Sequence, residues 1–365
     1  MPVPFADLQL QYQSIKSEID KAIAAVIRDN AFIRGAHVEA FEREFAEAVE
    51  IGHCVSCANG TDALYLAMTA LNVRPGDEVI TSAHSWISTS AMITHAGANV
   101  AFADTDGMTF TVDPAAIEAA ITPRSVGIIP VHLYGQPADM DAIMAIARKH
   151  GLWVIEDCAQ AHLARFRGQQ VGTFGNAAAY SFYPGKNLGA MGDAGAAVTN
   201  DSVLAEHMAM LARHGGLIKY QHQIEGINSR LDGMQAAILS AKLPHLRGWT
   251  KARQDAAKIY EAGLGRVEHV VLPQVGPDRT HVYHLYTIRH PRRDALAAHL
   301  SAHGVQTAIN YPIALPFLEA YRRFAARPEQ FPNAHRDQSR ILSLPMFAEI
   351  TREQQDEVIE LIRRF

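Results

Sequence analysis

A chain of 365 residues, 48% of them hydrophobic, is long enough to bury one large core and a smaller second one, so two domains are expected. A formal net charge of −5 with no basic block removes the electrostatic basis for binding nucleic acid or an anionic membrane, and points to a small-molecule partner. Three cysteines, an odd number in so long a chain, argue against a disulfide framework. No stretch reaches membrane-spanning length and residues 1–7 lack a basic segment leading into an apolar one, so a cytoplasmic protein is expected.

The first amphipathic stretch, residues 13–29, predicts a helix lying across the large domain or a partner subunit. From about residue 54 to 199, short apolar or β-branched runs alternate with helical patterns. Strands are predicted at 53–56, 78–81, 99–103, 126–131, 153–156, 178–182 and 196–199, and helices at 62–71 and 139–150. The first of these helices is followed by the breaker Arg74-Pro75-Gly76-Asp77. The alternation predicts an α/β fold, a mostly parallel sheet flanked by helices.

From Asp232 the pattern turns helical, with Met234, Ala237, Ile238 and Ala241 on one face and a polar continuation to Tyr260 that connects the domains. A strand-like run at 281–288, a helix at 292–303 and a proline-rich loop at 310–316 predict a small α+β domain. The expected division is 1–245 for the large domain with its N-terminal helix, and 246–365 for the small one.

The histidines and cysteines do not form a recognisable metal or redox motif. Cys54 and Cys57 have C-x-x-C spacing, but the run continues Ala58-Asn59-Gly60-Thr61, a strand ending in a phosphate-type turn, so structural thiols are expected. The 18 histidines include no H-E-x-x-H, and no second cysteine pair completes a zinc site. His281 and His284 alternate with apolar residues and read as strand positions.

Chemistry concentrates in two runs, Val154-Ile155-Glu156-Asp157-Cys158-Ala159-Gln160 and Ser181-Phe182-Tyr183-Pro184-Gly185-Lys186-Asn187-Leu188-Gly189. A lysine amine condenses with an aldehyde cofactor, and a carboxylate facing a pyridine nitrogen keeps that nitrogen protonated. Asp157 lies just past the carboxyl end of a predicted strand, where open α/β sheets bind ligands; the alternative is a cap for a helix starting at Cys158. A nucleotide P-loop at Gly185-Lys186-Asn187 fails, because residue 180 is Tyr and residue 187 is Asn. Asn59-Gly60-Thr61-Asp62 sits between a strand and a helix, so the N–H groups of Gly60 and Thr61 point at an anion or simply form a capped turn. Ser181 offers a hydroxyl to the same anion. Trp86 either stacks on a planar ring or belongs to the core.

These runs, together with Pro4-Phe5-Ala6-Asp7-Leu8, Pro75-Gly76-Asp77-Glu78-Val79-Ile80, Val131-His132-Leu133-Tyr134-Gly135-Gln136 and Asn228-Ser229-Arg230-Leu231-Asp232, resemble the DegT/DnrJ/EryC1/StrS family of pyridoxal phosphate-dependent sugar aminotransferases, of fold type I. The resemblance spans nearly the whole chain. It implies that Lys186 holds the cofactor covalently and shuttles protons, that Asp157 pairs with the pyridinium nitrogen, that Gln160 hydrogen-bonds the phenolic oxygen and that Trp86 stacks on the ring. It further implies that Gly60, Thr61 and Ser181 bind the phosphate with Asn228 from the neighbouring subunit of a homodimer. L-glutamate is the implied amino donor, pyridoxamine phosphate the half-reaction form, and a dTDP- or UDP-linked keto-hexose the acceptor.

The run from Asn228 to Ala237 looks more like members that aminate C3 than C4. Tyr183, His214, Arg230 and Tyr311 are the candidate substrate contacts, with Arg213, Lys219 and Tyr220 as further basic or polar neighbours. Two departures stand out. Asn310-Tyr311-Pro312-Ile313-Ala314-Leu315-Pro316 loses both histidines of the usual family run, which puts sugar contacts there in doubt. Ala194 replaces a usual glycine beside the lysine loop, and its methyl is expected to narrow that turn. Competing readings are a pyridoxamine phosphate-dependent dehydratase, against which Lys186 argues, and a non-catalytic regulatory or sugar-nucleotide-binding member, against which the retained cofactor residues argue.

Overall fold

The computed structural model describes residues 2–365. Its main sheet contains β1 (His53–Cys57), β2 (Glu78–Ser82), β3 (Asn99–Ala103), β4 (Ser125–Ile129) and β5 (Trp153–Asp157). A separate small hairpin, β6 (Arg165–Phe166) and β7 (Gln169–Gln170), precedes the last two strands of that sheet, β8 (Ala177–Ser181) and β9 (Gly195–Thr199). The order across the sheet is β1-β9-β8-β5-β4-β2-β3. The fold is therefore α/β with a mostly parallel sheet, as expected, and every predicted strand of this region is present with its ends moved by no more than two residues.

Helices cover both faces, so the strands read as nearly continuous apolar runs. Side chains still alternate between the faces. In β8, Ala177 and Ala179 join a core with Leu64 and Met68 of helix Gly60–Ala70, while Ala178 and Tyr180 join Phe41 and Phe45 of helix Ala36–Ala48 on the other side. The alanines leave room for helix Gly60–Ala70 to lie directly against β8.

The direction of the strands decides where the site is. Strands β3, β2, β4, β5 and β8 are mutually parallel, and β9 runs antiparallel between β8 and β1. Six carboxyl ends therefore share one edge with the amino end of β9, and Gly195 pairs there with Ser181 on one side and Cys57 on the other. That edge is where open α/β sheets hold ligands.

The C-terminal part pairs β10 (Tyr286–Arg289) with β11 (Ile341–Leu344) and packs helices Leu246–Leu264, Arg293–Ala302 and Arg352–Arg363 around Tyr260, Tyr286, Leu296, Leu342 and Val358. The predicted strand 281–288 is shorter than expected, and His281 and His284 are not strand residues. Their segment bonds elsewhere: the Val282 and Leu285 N–H groups donate to the carbonyls of Gly135 and Tyr134, and Gln254 Nε2 donates to the His281 carbonyl.

Two helical predictions also divide. The N-terminal helix is two helices, Leu8–Ser14 and Lys16–Asp29, broken at Ile15, and the second packs Ile19 on Ile238 of helix Gly233–Lys242. The helical run after Asp232 is interrupted at Leu243–His245, where Pro244 lacks an N–H to continue it. Among the described residues no helix is long and apolar enough to cross a membrane. Cys54 and Cys57 are residues of β1, and burial pushes both thiols up, the opposite of an activated thiolate.

Candidate active site

The turn after β1 begins helix Gly60–Ala70. Asn59 caps it, its side chain accepting the Asp62 N–H at 2.8 Å. The N–H groups of Gly60 and Thr61, in the first turn, have no intrahelical partner and remain available to an anion. This turn lies hard against the sheet. A Cβ on Gly195 would come within 2.2 Å of the Asn59 carbonyl carbon, and a Cβ on Gly60 within 2.7 Å of Ser181 Cβ. Only glycine at both places lets Ser181 and the helix start meet. Thr61 Oγ1 and Ser88 Oγ are 2.8 Å apart, joining the turn to helix Ser88–His95.

Asp157 ends β5 with its carboxylate buried. No helix starts at Cys158, so the capping alternative fails. The carboxylate instead accepts from Thr89 Oγ1 at 2.8 Å and from the Ala159 N–H at 3.1 Å. Burial raises its pKa, opposed by those two bonds and by the charge of Lys186.

Lys186 stands in the loop after β8, its N–H donating to the Tyr183 carbonyl at 2.8 Å. The amine enters no ion pair or hydrogen bond among the described residues. Burial lowers its pKa to about 8, and the attraction of Asp157 works the other way. An amine with that pKa has far more of the unprotonated form near neutral pH than an ordinary lysine, and a nucleophile or general base must react in that form.

Gln160 is buried, with Oε1 accepting the Tyr134 N–H at 2.6 Å and Nε2 donating to Tyr311 Oη at 3.1 Å. Trp86 is 56% exposed, its ring 5.5 Å from that of Tyr311. Its indole is therefore not core but a free aromatic face on the ligand-binding edge.

Asp157, Gln160, Lys186, Ser181, Gly60, Thr61 and Trp86 thus come from strand ends, loops and a helix start at one edge of the sheet, and Tyr311 joins them through its bond to Gln160. Tyr183, two residues past Ser181, is 60% exposed and its N–H donates to Ser181 Oγ at 3.3 Å. His214, Asn228 and Arg230 lie on the segment that follows helix Ser202–Leu211, and none of them bonds through its side chain to Asp157, Gln160 or Lys186. Asn228 is exposed, but its neighbour Ser229 donates to Asp62 at 2.6 Å and accepts from the Ala58 N–H. Ala194 is accommodated without a left-handed backbone: it is buried among apolar side chains and its carbonyl accepts the Phe182 N–H at 2.8 Å. Sequence reasoning missed Thr89, Ser88, His84 and Tyr134. Nothing distinguishes such residues in a sequence, because their part is to hold another side chain.

The donor set fits pyridoxal phosphate. Two free helix N–H groups and a serine suit a phosphate, a buried carboxylate suits a pyridinium, one carboxamide hydrogen suits a phenolic oxygen, and an unpaired amine of lowered pKa suits an aldehyde.

Comparisons with known proteins agree with this chemistry. A model of the DegT/DnrJ/EryC1/StrS aminotransferase family matches residues 13–363. A pleiotropic regulatory protein of Geobacillus stearothermophilus is 47% identical over 100% of this chain and 99% of its own. The UDP-N-acetyl-3-dehydro-alpha-D-glucosamine 3-aminotransferase of Acidithiobacillus ferrooxidans is 44% identical over 99% of this chain and 97% of its own. The crystal structure of S. venezuelae DesV in complex with a ketimine intermediate superposes with a TM-score of 0.97 at 43% identity, covering 100% of this chain and 98% of DesV. The chain belongs to the DegT/DnrJ/EryC1/StrS aminotransferase family.

Proposed function

We propose that this aminotransferase moves an amino group from L-glutamate to the C3 keto carbon of a nucleotide-linked hexose, in the cytoplasm, for amino-sugar biosynthesis. Nucleotide-sugar transamination with pyridoxal phosphate is the activity of the chain; the donor, the compartment and the residue roles are our assignment. The observation that carries it is a lysine amine with no ion-pair or hydrogen-bond partner at the same ligand-binding edge as a buried carboxylate held by two neutral donors.

When bound, pyridoxal phosphate supplies the electron sink that makes the hydrogen next to the transferred amine acidic. Lys186 would take that proton and hold it on Nζ. Asp157, held by Thr89, would keep a proton on the ring nitrogen. Gln160 would donate to the ring oxygen, and Trp86 would cover a ring face and exclude water from it. Gly60, Thr61 and Ser181 would hold the phosphate, with Asn228 of a second copy completing the site in a homodimer. The exposed Tyr183 and His214 and the half-buried Arg230 line the approach for the sugar nucleotide. We assign residues 1–245 to the cofactor-binding domain and 246–365 to the small domain; the proline break at Leu243–His245 supports that division.

The test is an absorbance scan of the purified protein with cofactor, before and after L-glutamate, then with dTDP- and UDP-linked keto sugars. The expected result is a visible band that glutamate bleaches and one 3-keto sugar restores. A band that glutamate leaves unchanged would overturn the proposed donor, and restoration only by 4-keto sugars would overturn the ring position.

A further inference from the structure

We propose that the Tyr311 phenol is a second hydrogen-bond donor, beside Gln160, to the anionic ring oxygen of the bound cofactor. This rests on the cofactor reading above. It makes the loop 310–316, which departs from the family run at both of its usual histidines, part of the machinery that tunes the cofactor.

The argument is a count of hydrogens. Gln160 Oε1 accepts the Tyr134 N–H at 2.6 Å, which fixes the carboxamide so that Nε2 faces the other way. Nε2 has two hydrogens and gives one to Tyr311 Oη at 3.1 Å. Tyr311 Oη therefore acts as an acceptor towards the protein and keeps its own hydrogen, for which the described residues offer no acceptor. One amide hydrogen and one hydroxyl hydrogen, on atoms 3.1 Å apart, are left unspent side by side. Polar groups in such places are rarely left unpaired, and two converging donors call for an oxygen that carries negative charge and no hydrogen.

The tyrosine is held for this purpose from several sides. Its N–H donates to His84 Nε2 at 3.0 Å, Tyr134 Oη donates to the Asn310 carbonyl, and its ring lies 5.5 Å from that of Trp86. Burial lowers the His84 pKa to about 4, so its imidazole stays neutral and able to accept. Burial first, and then the nearby charge of Asp157, push the Tyr311 phenol up, so it remains a donor at working pH. The titratable groups around this ring are Asp157 on β5, His84 after β2 and Tyr134 after β4, in addition to Tyr311 itself.

The test reads the pH midpoint of the visible band of cofactor-loaded protein without any sugar. The charge on the ring oxygen is least compensated once the neighbouring nitrogen has lost its proton, so a donor stabilises the deprotonated form more. Tyr311→Phe is therefore expected to raise the midpoint by on the order of one pH unit, a tenfold change. Placing 3-fluorotyrosine at 311, which keeps the shape and sharpens the donor, is expected to lower it. An unchanged midpoint in both proteins, with a higher KM for the keto sugar alone, would assign Tyr311 to the substrate and overturn the proposal. Failure of wild-type protein to develop any band would overturn the cofactor reading instead.

Discussion

Thr89 Oγ1 donates to Asp157 Oδ2 at 2.8 Å, from the first turn of a helix to the end of a strand 68 residues away in sequence. With the Ala159 N–H on Oδ1, each oxygen of the buried carboxylate is held by a neutral donor that fixes its direction without cancelling its charge. Lys186 is the cation the carboxylate feels in the absence of a ligand.

Thr89→Val removes a bond that lowers the Asp157 pKa, so that pKa, already raised by burial, should rise further. The carboxylate then protonates at higher pH, and the acid limb of kcat/KM should move upward. A hydrogen bond to a charged group contributes roughly 1.5–3 kcal/mol, so a loss of about tenfold or more in kcat/KM is expected. Thr89→Ser should recover most of it. A Thr89→Val enzyme with wild-type kcat/KM and acid limb would remove Thr89 from the site.

For Lys186, the sign of its pH dependence is set by burial. Its pKa is lowered to about 8, so the unprotonated amine accumulates as pH rises and saturates above that value. The rate at which apoprotein captures pyridoxal phosphate covalently should rise with pH and level off above about 8, well before an ordinary lysine would. Because Asp157 raises the amine's pKa, Asp157→Asn should shift the midpoint downward. Lys186→Ala should keep the circular dichroism spectrum, capture no cofactor covalently and lose at least about a thousandfold in turnover. Stopped-flow absorbance over pH 6–10 reads both effects.

The strands of the main sheet were legible because their burial on both faces writes uninterrupted apolar runs, and because glycine and proline mark their ends. Lys186 and Asp157 stand out in the sequence because an aldehyde-condensing amine and a partner for a pyridine nitrogen each restrict the residue type, whereas Gln160 is singled out only by the family resemblance. The segment 281–285 was not, since its apolar alternation looks like a strand while its N–H groups reach the carbonyls of Tyr134 and Gly135. Period cannot report a partner about 150 residues away. The Tyr311 contact to Gln160 escaped for the same reason: it joins residues 151 apart in sequence, which no local pattern encodes.

Gly195 tests how tightly the phosphate turn is built. A Cβ there would lie 2.2 Å from the carbonyl carbon of Asn59 and 2.6 Å from the Gly60 nitrogen, both backbone atoms that have no rotamer to escape into. Gly195→Ala should destabilise the fold by roughly 1–3 kcal/mol and, by displacing the helix start, weaken retention of pyridoxal phosphate more than that of pyridoxal. Thermal denaturation and equilibrium dialysis of the two compounds measure this. Equal weakening of both would show that the turn does not bind the phosphate.

Glu156 and Asp157 are adjacent carboxylates on one strand with opposite duties, and a pair of variants should separate them. Glu156 is fully buried beneath the site. Its Oε2 accepts from His132 Nε2 at 3.0 Å and from the Gly172 N–H at 2.8 Å, and its Oε1 accepts from the N–H groups of Phe174 and Gly175 at 2.8 and 2.9 Å. His132 Nδ1 accepts the Ala138 N–H at 3.0 Å, which leaves the proton on Nε2 for Glu156. Every acceptor position on Glu156 is thus spent inside the protein, three on the chain between β5 and β8 and one on His132 after β4. In Glu156→Gln an amide nitrogen must replace one oxygen, and whichever it replaces, it meets two donors. The expected loss is about 3 kcal/mol or more of stability, with turnover per folded molecule close to wild type at low temperature. Asp157→Asn, whose amide still accepts on one side, should do the reverse, keeping its denaturation midpoint near wild type while losing turnover. Chemical denaturation paired with kinetics at 10 °C distinguishes them, and a Glu156→Gln protein of wild-type stability would show that the buried hub is not what holds this edge of the sheet.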